Sequence, residues 1–327
     1  MRRTLKIGAR ESELAVWQAT QVQKLLQQKN IPAELVFITS EGDEDVVTPL
    51  YQMGVQGIFT KALDTALLND RIDVAVHSMK DVPTQLPQGI KQAAALERGN
   101  HKDLLVFKGE MSAVSNELKI VNGQWSIVNN SLFTIHNSPF TIATSSIRRK
   151  AQWLHRYPNH TIENLRGNVN TRLNKLKAQG WDGAIFAAAG LERINLRGEN
   201  SIELDWMLPA PAQGAIMVVC RENDEYTFNS CNLFNHQFTE LCTKIERDFL
   251  KKLMGGCSTP ISALAQIKNN KVIFKGNLCS TDGKQKIDVE KEASMEDSFD
   301  LGVSAAEDLL KNESAIKILE EIRNAKK

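Results

Sequence analysis

Apolar and polar residues follow two different periods along the first hundred residues. One helix is predicted where apolar residues fall near one face of a 3.6-residue period, at Leu14, Trp17, Val22, Leu25 and Leu26. Short apolar runs at 35–39 and 72–78 predict buried strands, and the pattern at 58–69 predicts a second helix between them. Strands that alternate with helices indicate an α/β layer with a largely parallel sheet.

The same pattern returns after a polar interruption. Residues 107–140 are rich in Asn and Ser and contain only short β-prone pieces, so we expect a surface hairpin or insertion there. From 141 to 190, strands again alternate with helices, which predicts a second α/β domain. The segment 208–221 carries two prolines and then an apolar run. It either closes the second domain or returns the chain to the first.

The pattern changes after residue 236. A helix that stops at a glycine is followed by two β-prone runs, whose turn signals are Asn269-Asn270 and Asp282-Gly283, and then by two more helices. These features predict a small α+β domain. We therefore expect an α/β protein of three domains, formed by residues 1–105 together with 215–233, by 106–208, and by 236–327.

Composition narrows the class of protein and of partner. Of the 327 residues, 24% are charged and 42% hydrophobic, as in ordinary soluble globular proteins, and the formal net charge is only +1. No global basic field favours nucleic acid as a partner. The sequence has no run of 18 apolar residues and no apolar signal segment behind its first arginines, so we expect a cytoplasmic protein without a membrane partner.

The five cysteines are an odd number and include no CxxC pair. This favours reduced thiols over a disulfide framework or a zinc site, and we expect no metal. Cys257 follows Gly255 and Gly256 and precedes Pro260, which indicates a tight turn. On this evidence its thiol is open to four interpretations: a packing residue, a metal ligand, a nucleophile or an attachment point.

Positive charge is concentrated between residues 141 and 197, where ten basic residues face three acidic ones, a local net charge of +7. Ser145 and Ser146 stand between a predicted strand and a helix, an arrangement that attracts anions. Arg148 and Arg149 fall in the first turn of that helix, where their charge opposes the helix dipole unless an anion lies between. The alternative is that these arginines only solvate an outer face.

Further anion-binding positions follow other predicted strands. Arg166 ends a strand and precedes Gly167, and Arg172 lies about a turn and a half further on. Guanidinium groups at strand ends match carboxylates or phosphates with two parallel hydrogen bonds, so we expect a ligand with several acid groups. Near the start of the chain, Arg10 and Ser12 stand between a strand and a helix, which is again an anion position.

In the first domain, Ser78, Lys80 and Asp81 lie just beyond an apolar strand, at the end of the sheet where ligands usually bind. Asp81 is a candidate acid/base or cation-stabilising group, with Lys80 as an anion clamp. The alternative is a simple ion pair between the two side chains.

Seven stretches in order carry a family resemblance: ARESELAVWQA, GIFTKALDTALL, DVAVHSMKDVPT, ATSSIRR, LRGNVNTRL, LPAPAQGA and GGCSTP. Together they resemble the porphobilinogen deaminase (hydroxymethylbilane synthase) family over nearly the whole chain. The resemblance implies three domains, two of them α/β domains like those of periplasmic binding proteins, with the cofactor cysteine on a loop of the small third domain.

The resemblance also implies roles for individual residues. Cys257 would hold a dipyrromethane cofactor through a thioether, and Asp81 would be the catalytic carboxylate near the pyrrole nitrogens. The cofactor would further be bound by Ser78, Lys80, Ser145, Ser146, Arg148, Arg149, Arg166 and Gly167. The substrate would be bound by Arg10, Ser12, Arg172, Arg193 and Gln213.

The implied activity is that of a transferase of porphyrin biosynthesis. Four porphobilinogen molecules would be condensed with loss of ammonia, and hydrolysis would release the linear tetrapyrrole. The product would pass to uroporphyrinogen-III synthase. Separately, we expect a monomer, because no long apolar surface helix stands out in the sequence. The sequence departs from the family pattern at Gln52 and Gln56, which stand where lysines are expected, and in the longer segment 107–140.

Two other classes of protein compete with this interpretation. A two-lobed anion-binding module would also place arginines at helix starts, but it gives no role to Cys257. An acyl transferase with a cysteine nucleophile needs a partnering histidine, and no candidate stands out among the six histidines.

Overall fold

The computed structural model of the chain describes residues 3–39, 60–108, 118–121, 124–127, 140–253 and 259–324. The strands are β1 Leu5–Ala9, β2 Ala33–Phe37, β3 Val74–Ser78, β4 Ile90–Ala95, β5 Asp103–Phe107, β6 Leu118–Val121, β7 Gln124–Ile127, β8 Thr141–Ala143, β9 Thr161–Glu163, β10 Gly183–Ala187, β11 Ser201–Glu203, β12 Ile216–Arg221, β13 Ile261–Lys268, β14 Lys271–Cys279 and β15 Lys286–Ser294. The helices are α1 Glu13–Gln28, α2 Lys61–Leu68, α3 Ile147–Arg156, α4 Val169–Ala178, α5 Ala188–Glu192, α6 Glu225–Asn232, α7 Gln237–Lys252, α8 Leu301–Leu310 and α9 Glu313–Asn324.

The first sheet has the strand order β2-β1-β3-β12-β4. Strand β1 is parallel to both β2 and β3, whereas β12 is antiparallel to its two neighbours. The apolar segment at 208–221 therefore returns the chain to the first sheet. Val74 and Val218 are both fully buried, as expected for strands that are covered on both faces.

The second sheet has the order β11-β5-β10-β8-β9. Strands β8, β9 and β10 are parallel, and β5 runs antiparallel to β10 with Asp103 opposite Ala187. The amino end of β5 therefore lies at the edge where the parallel strands have their carboxyl ends. The domain boundary expected between residues 105 and 106 falls inside β5.

The third sheet is the antiparallel order β13-β14-β15, and helices α7 and α8 pack against it. Phe249 and Phe274 are fully buried at the centre of this core, with ring centroids 5.1 Å apart. Asn269 and Asn270 both adopt positive φ, 50° and 60°, in the turn that joins β13 to β14. The predicted architecture of two α/β domains and a small α+β domain is confirmed.

Several predicted features lie outside the described residues. Within 107–140, the backbone forms the antiparallel pair β6 and β7, which agrees with the predicted hairpin. The remainder of that segment between 109 and 139 lies outside, as do Gln52, Gln56 and the turn at 254–258 that contains Cys257.

Two segments connect the first sheet to the second, and they touch each other. The Gly99 N–H donates a 3.0 Å hydrogen bond to the carbonyl oxygen of Gly214. Gly214 has φ +87°, and a Cβ atom there would lie 2.7 Å from the Gly99 carbonyl oxygen, so the approach requires glycine. The third domain holds both segments through Glu246, whose carboxylate accepts hydrogen bonds from Arg98 (2.6 Å) and from the Ala212 N–H (2.6 Å).

Candidate active site

The turn that carries Lys80 and Asp81 directly follows strand β3. Met79 begins this single 3₁₀ turn and is fully buried, and its N–H donates a 3.0 Å hydrogen bond to the Ala215 carbonyl oxygen. Lys80 and Asp81, the next two residues, are half-buried. Burial of Met79 therefore fixes the turn, while the two charged side chains remain partly exposed.

The segment after Asp81 is held by the third domain. Arg247 of helix α7 donates hydrogen bonds to the carbonyl oxygens of Val82 (2.9 Å) and Pro83 (2.6 Å). Helix α7 ends at Lys252, five residues before Cys257 in the sequence. The helix that leads to the predicted attachment point thus also contacts the turn of the predicted catalytic carboxylate.

Arg148 and Arg149 are buried, with only 4% and 5% of their surface exposed, so the alternative that they solvate an outer face is wrong. Both contact the carboxylate of Asp103, which is fully buried: Arg148 Nη2 lies 2.8 Å from Oδ2 and Arg149 Nη2 lies 2.7 Å from Oδ1. Burial alone would raise the pKa of Asp103, but the two guanidiniums lower it to about 2. Asp103 is therefore an ionised carboxylate beside the start of helix α3, so a side chain of the protein already contacts the two arginines that the sequence assigned to a ligand anion.

Lys80 reaches this cluster through Gln213. The Lys80 ammonium donates a 3.3 Å hydrogen bond to Oε1 of Gln213, whose Nε2 donates a 3.0 Å bond to Asp103. Burial lowers the pKa of Lys80 to about 8, although Asp81 opposes that shift, and Arg149 adds to it. Lys80, Arg148 and Arg149 therefore share one electrostatic environment with two carboxylates.

Arg166 and Arg172 extend the cluster along the second sheet. Arg166 is only 3% exposed, and Gly167 adopts φ +111°, where a Cβ atom would lie 2.6 Å from the Thr171 side chain. Arg172 Nε donates a 2.7 Å hydrogen bond to the Gly167 carbonyl oxygen. Burial lowers the pKa of Arg172 to about 10; Arg149 and Arg166 add to the shift, whereas Asp81 opposes it. The two domains thus bring Asp81 and these arginines together.

Three of the four predicted serines make local contacts. Ser146 caps helix α3 by accepting a 3.4 Å hydrogen bond from the Arg149 N–H, and Ser145 Oγ accepts one of 2.9 Å from the Leu165 N–H. Ser78 Oγ accepts a 2.9 Å bond from the Gln18 side chain. Each serine therefore positions backbone or side chains at the edges of the two sheets.

The remaining predicted residues lie around helix α1 and the connecting segments. Arg10 follows strand β1 and adds to the effect of burial in lowering the pKa of His77 to about 3. Ser12 is the N-cap of helix α1, without a hydrogen bond from its side chain to the helix. Arg193 donates a 2.6 Å bond to the Gly214 carbonyl oxygen and lies 5.5 Å from the Trp17 ring centroid. Arg193 therefore contacts a connecting segment and helix α1 of the first domain.

The four described cysteines are buried. Burial raises the pKa of Cys220 and Cys242 to about 11, that of Cys279 to about 12, and that of Cys231 further still. Thiols of this kind remain protonated at neutral pH and make poor nucleophiles. Among the described residues, no group of three or more His, Cys, Asp or Glu side chains is arranged to hold a metal ion.

Comparison with known proteins identifies the family to which the chain is similar. Residues 5–229 match the family model described as porphobilinogen deaminase, dipyromethane cofactor binding domain, and residues 240–311 match the porphobilinogen deaminase C-terminal domain. The porphobilinogen deaminase of Desulforamulus reducens is 36% identical, covering 99% of this chain and 99% of the relative. That of Carboxydothermus hydrogenoformans is 37% identical, covering 99% and 98%. The chain belongs to the porphobilinogen deaminase family.

Membership of the porphobilinogen deaminase family confirms the resemblance found in the sequence, and the first matched domain confirms dipyrromethane as the predicted cofactor. The cationic cluster and Asp81 all fall within that cofactor-binding domain. Cys257 falls within the second match, in the part of the chain that belongs to the C-terminal domain of the family.

Solved structures of other families are weakly similar to this porphobilinogen deaminase family member. A BvgS VFT2 domain of Bordetella pertussis has a TM-score of 0.41 at 11% identity, covering 70% of this chain and 85% of that one. The methionine-binding protein MetQ has a TM-score of 0.41 at 11% identity, covering 70% and 89%. In the part of the chain that the structure describes, no helix is both long and apolar enough to cross a membrane.

Proposed function

We propose that this member of the porphobilinogen deaminase family is a hydroxymethylbilane synthase. It condenses four porphobilinogen molecules head to tail with loss of ammonia, and this condensation makes it a transferase. Hydrolysis then releases the linear tetrapyrrole. The observation that carries the proposal is the cluster of cations beside Asp81, at the edges of two sheets. It consists of the buried Arg148, Arg149 and Arg166 and the half-buried Lys80 and Arg172.

The charge of this cluster suits a polyacid substrate. In the part of the chain that the structure describes, the electrostatic partners of these five cations include two carboxylates, those of Asp81 and Asp103, so the described cluster has a net positive charge. Each porphobilinogen carries an acetate and a propionate group, and guanidiniums bind such carboxylates with charge-assisted hydrogen bonds. A growing chain of pyrroles adds two carboxylates per ring, so we expect the excess of arginine to bind it more strongly at each addition.

Asp81 is the group we assign to the reaction itself. Loss of ammonia from the aminomethyl group leaves a cation that is delocalised onto the pyrrole nitrogen. A carboxylate next to that nitrogen stabilises the positive charge and holds the N–H proton, and because the charge reappears after the new carbon–carbon bond forms, the same carboxylate serves both steps. The turn after β3, fixed by buried Met79, supports this role because it holds Asp81 in one position.

The residues of the chain fit the dipyrromethane cofactor. Its carboxylates match the surplus of buried guanidiniums, and we assign its covalent attachment to Cys257 because the four other cysteines are buried thiols. When bound, the cofactor supplies the free pyrrole carbon to which substrate is added. Lys80, Arg148, Arg149 and Arg166 would hold its acid groups, while Ser78, Ser145, Ser146 and Gly167 would shape the sheet edges around it.

The other predicted residues are assigned to the substrate. Arg10, Ser12, Arg172, Arg193 and Gln213 would bind the acid groups of the incoming pyrrole or of the elongated chain. We further propose that the protein acts in the cytoplasm as a monomer, without nucleic acid or membrane partners, and that its product passes to uroporphyrinogen-III synthase.

The direct test is turnover of porphobilinogen by the purified protein. We expect one ammonia to be released for each porphobilinogen consumed, and mass spectrometry to detect a linear product of four pyrrole rings. Binding of porphobilinogen without ammonia release would instead support the two-lobed anion-binding module. Release of ammonia without a tetrapyrrole product would contradict the proposed condensation.

A further inference from the structure

Asp103 lies at the centre of the cationic cluster, although no sequence motif pointed to it. Its carboxylate is fully buried and accepts hydrogen bonds from Nε and Nη2 of Arg149, at 3.0 and 2.7 Å, and from Nε2 of Gln213, at 3.0 Å. Arg148 Nη2 forms an ion pair with the second oxygen, Oδ2, at 2.8 Å. One carboxylate therefore connects three side chains that we assign to cofactor and substrate binding.

We propose that Asp103 is a positioning residue for the binding of pyrrole carboxylates. It holds the guanidiniums of Arg148 and Arg149 directly, and the ammonium of Lys80 through Gln213, in the arrangement that receives the ligand. This inference rests on the proposed function.

Each guanidinium is fixed at two points, one of which is Asp103. Arg148 Nη1 also donates to the Leu208 carbonyl oxygen, and Arg149 Nη1 to the Ile185 carbonyl oxygen, both at 2.8 Å. Two anchors of this kind set the plane of a guanidinium, because its N–H groups form a rigid fork. One carboxylate neutralises the charge of only one of the two arginines, so the pair retains positive charge for a ligand.

Gln213 connects Lys80 to Asp103 and so positions the Lys80 ammonium. Its Nε2 donates to Asp103 and, at 2.8 Å, to the His101 carbonyl oxygen, and these two acceptors determine which way the amide points. The opposite atom, Oε1, is thereby presented to the Lys80 ammonium. Loss of the Asp103 acceptor therefore removes a constraint on the amide that positions Lys80.

The variant Asp103→Asn separates positioning from simple electrostatics, because the two make opposite predictions. Removing the negative charge makes the cluster more positive, so arginines that stayed in place would bind carboxylates more tightly and the KM for porphobilinogen would fall. If Asp103 positions the arginines, KM rises instead, by roughly tenfold or more for the loss of bonds between charged groups. Intact mass provides a second readout, and we expect a smaller fraction of the protein to carry the covalent adduct.

Asp103→Glu provides the complementary variant. It keeps the charge but moves the carboxylate by one methylene, so positioning predicts a higher KM, whereas a purely electrostatic role predicts wild-type behaviour. Asp182→Asn is the matched control. Asp182 accepts a 2.7 Å hydrogen bond from the Thr141 N–H in the same sheet, and this bond involves none of the cluster residues. We expect its KM and adduct fraction to be unchanged.

Unfolding in urea distinguishes altered binding from loss of fold. An unchanged or lower KM in a folded Asp103→Asn or Asp103→Glu variant would overturn the proposal, and so would loss of fold in both, which would assign Asp103 to stability alone. Wild-type protein is assayed in parallel. Absence of wild-type turnover would refute the proposed function and this inference with it, whereas normal wild-type turnover with unaffected variants refutes only the role of Asp103.

Discussion

Arg247 donates a 2.9 Å hydrogen bond to the carbonyl oxygen of Val82, the residue that follows Asp81. This bond joins the third domain to the turn that carries the proposed catalytic carboxylate. The same helix ends at Lys252, five residues before Cys257 in the sequence. The position of the Asp81 turn therefore depends on helix α7 as well as on the first sheet.

Replacing Arg247 by Met should lower kcat while the protein remains folded. Without the bonds to Val82 and Pro83, the Asp81 turn loses its support from the third domain, and a displacement of about 1 Å at a reacting group can cost roughly a hundredfold in rate. Steady-state turnover of porphobilinogen measures the effect. Lys244→Met is the control on the same helix, because Lys244 pairs with Asp248 at 2.5 Å, and wild-type kcat is expected there. Equal losses in both variants would contradict a specific role for Arg247.

Replacing Asp81 by Ala should abolish most turnover and leave the fold intact. The half-buried side chain is not part of a described hydrophobic core, whereas loss of a charge-stabilising group costs roughly a hundredfold to a thousandfold in kcat. Ammonia release and circular dichroism measure the two properties. Asp81→Glu, which retains the carboxylate, should keep more activity than Asp81→Ala. Retained turnover in the alanine variant would remove Asp81 from the reaction.

Replacing Cys257 by Ser should remove a covalent mass equal to two linked pyrrole units. Serine cannot form the thioether, and the other cysteines offer no accessible thiolate, because burial raises the pKa of each described one. Intact mass of protein from a host that makes porphobilinogen gives the result. Cys242→Ser is the control and should retain the adduct. An adduct that persists in Cys257→Ser would place the attachment elsewhere.

The KM for porphobilinogen should rise as the pH increases through about 8. Burial lowers the pKa of Lys80 to about 8, so its positive charge, which attracts substrate carboxylates, is lost above that pH. The stability contribution has the opposite sign: a lysine whose pKa is lower in the folded state favours folding increasingly as the pH rises from about 8 toward its ordinary value of 10.5.

The variant Lys80→Arg distinguishes an effect of Lys80 titration on KM from the titration of other groups. An arginine retains its charge over this range, so the rise in KM should move to higher pH in the variant. KM measured across the range in both proteins gives the comparison, and identical profiles would show that another group is responsible.

Replacing Glu246 by Gln should destabilise the protein strongly. The fully buried carboxylate accepts hydrogen bonds from Arg98 and from the Ala212 and Ala265 N–H groups, so the substitution leaves a buried guanidinium without its counter-charge. Breaking a buried pair in this way costs about 3–5 kcal/mol of unfolding free energy, which urea denaturation measures. Glu307→Gln is the control, since its pair with Lys252 is exposed, and its midpoint should match the wild type. Similar midpoints for both variants would contradict the role of Glu246 as an anchor.

Local sequence signals were sufficient to predict much of the fold. The pair Asn269-Asn270 predicted its hairpin because asparagine tolerates the positive φ that the turn requires. Likewise, the predicted ends of strands and starts of helices placed Asp81, Arg149 and Arg172 at the edges of the sheets. Such predictions succeed where a short stretch of chain determines its own conformation.

Asp103 was missed because its importance arises from strand direction, which no local pattern encodes. It begins a strand, and only the antiparallel pairing of β5 with β10 brings it to the carboxyl edge of the parallel strands. The contacts of Arg247 and Arg193 were missed for a related reason. They join segments more than 20 residues apart in sequence, or different domains, and their partners are backbone carbonyl groups that any residue type provides.

The position of β12 has a consequence for synthesis of the chain. This strand lies between β3 and β4 in the first sheet, but it is translated after every strand of the second sheet. During synthesis, β4 therefore has no partner strand until residue 221 has left the ribosome. All strands of the second sheet are synthesised before that point. The first sheet can therefore be completed only after every strand of the second has been synthesised, although amino-terminal domains usually fold first during synthesis.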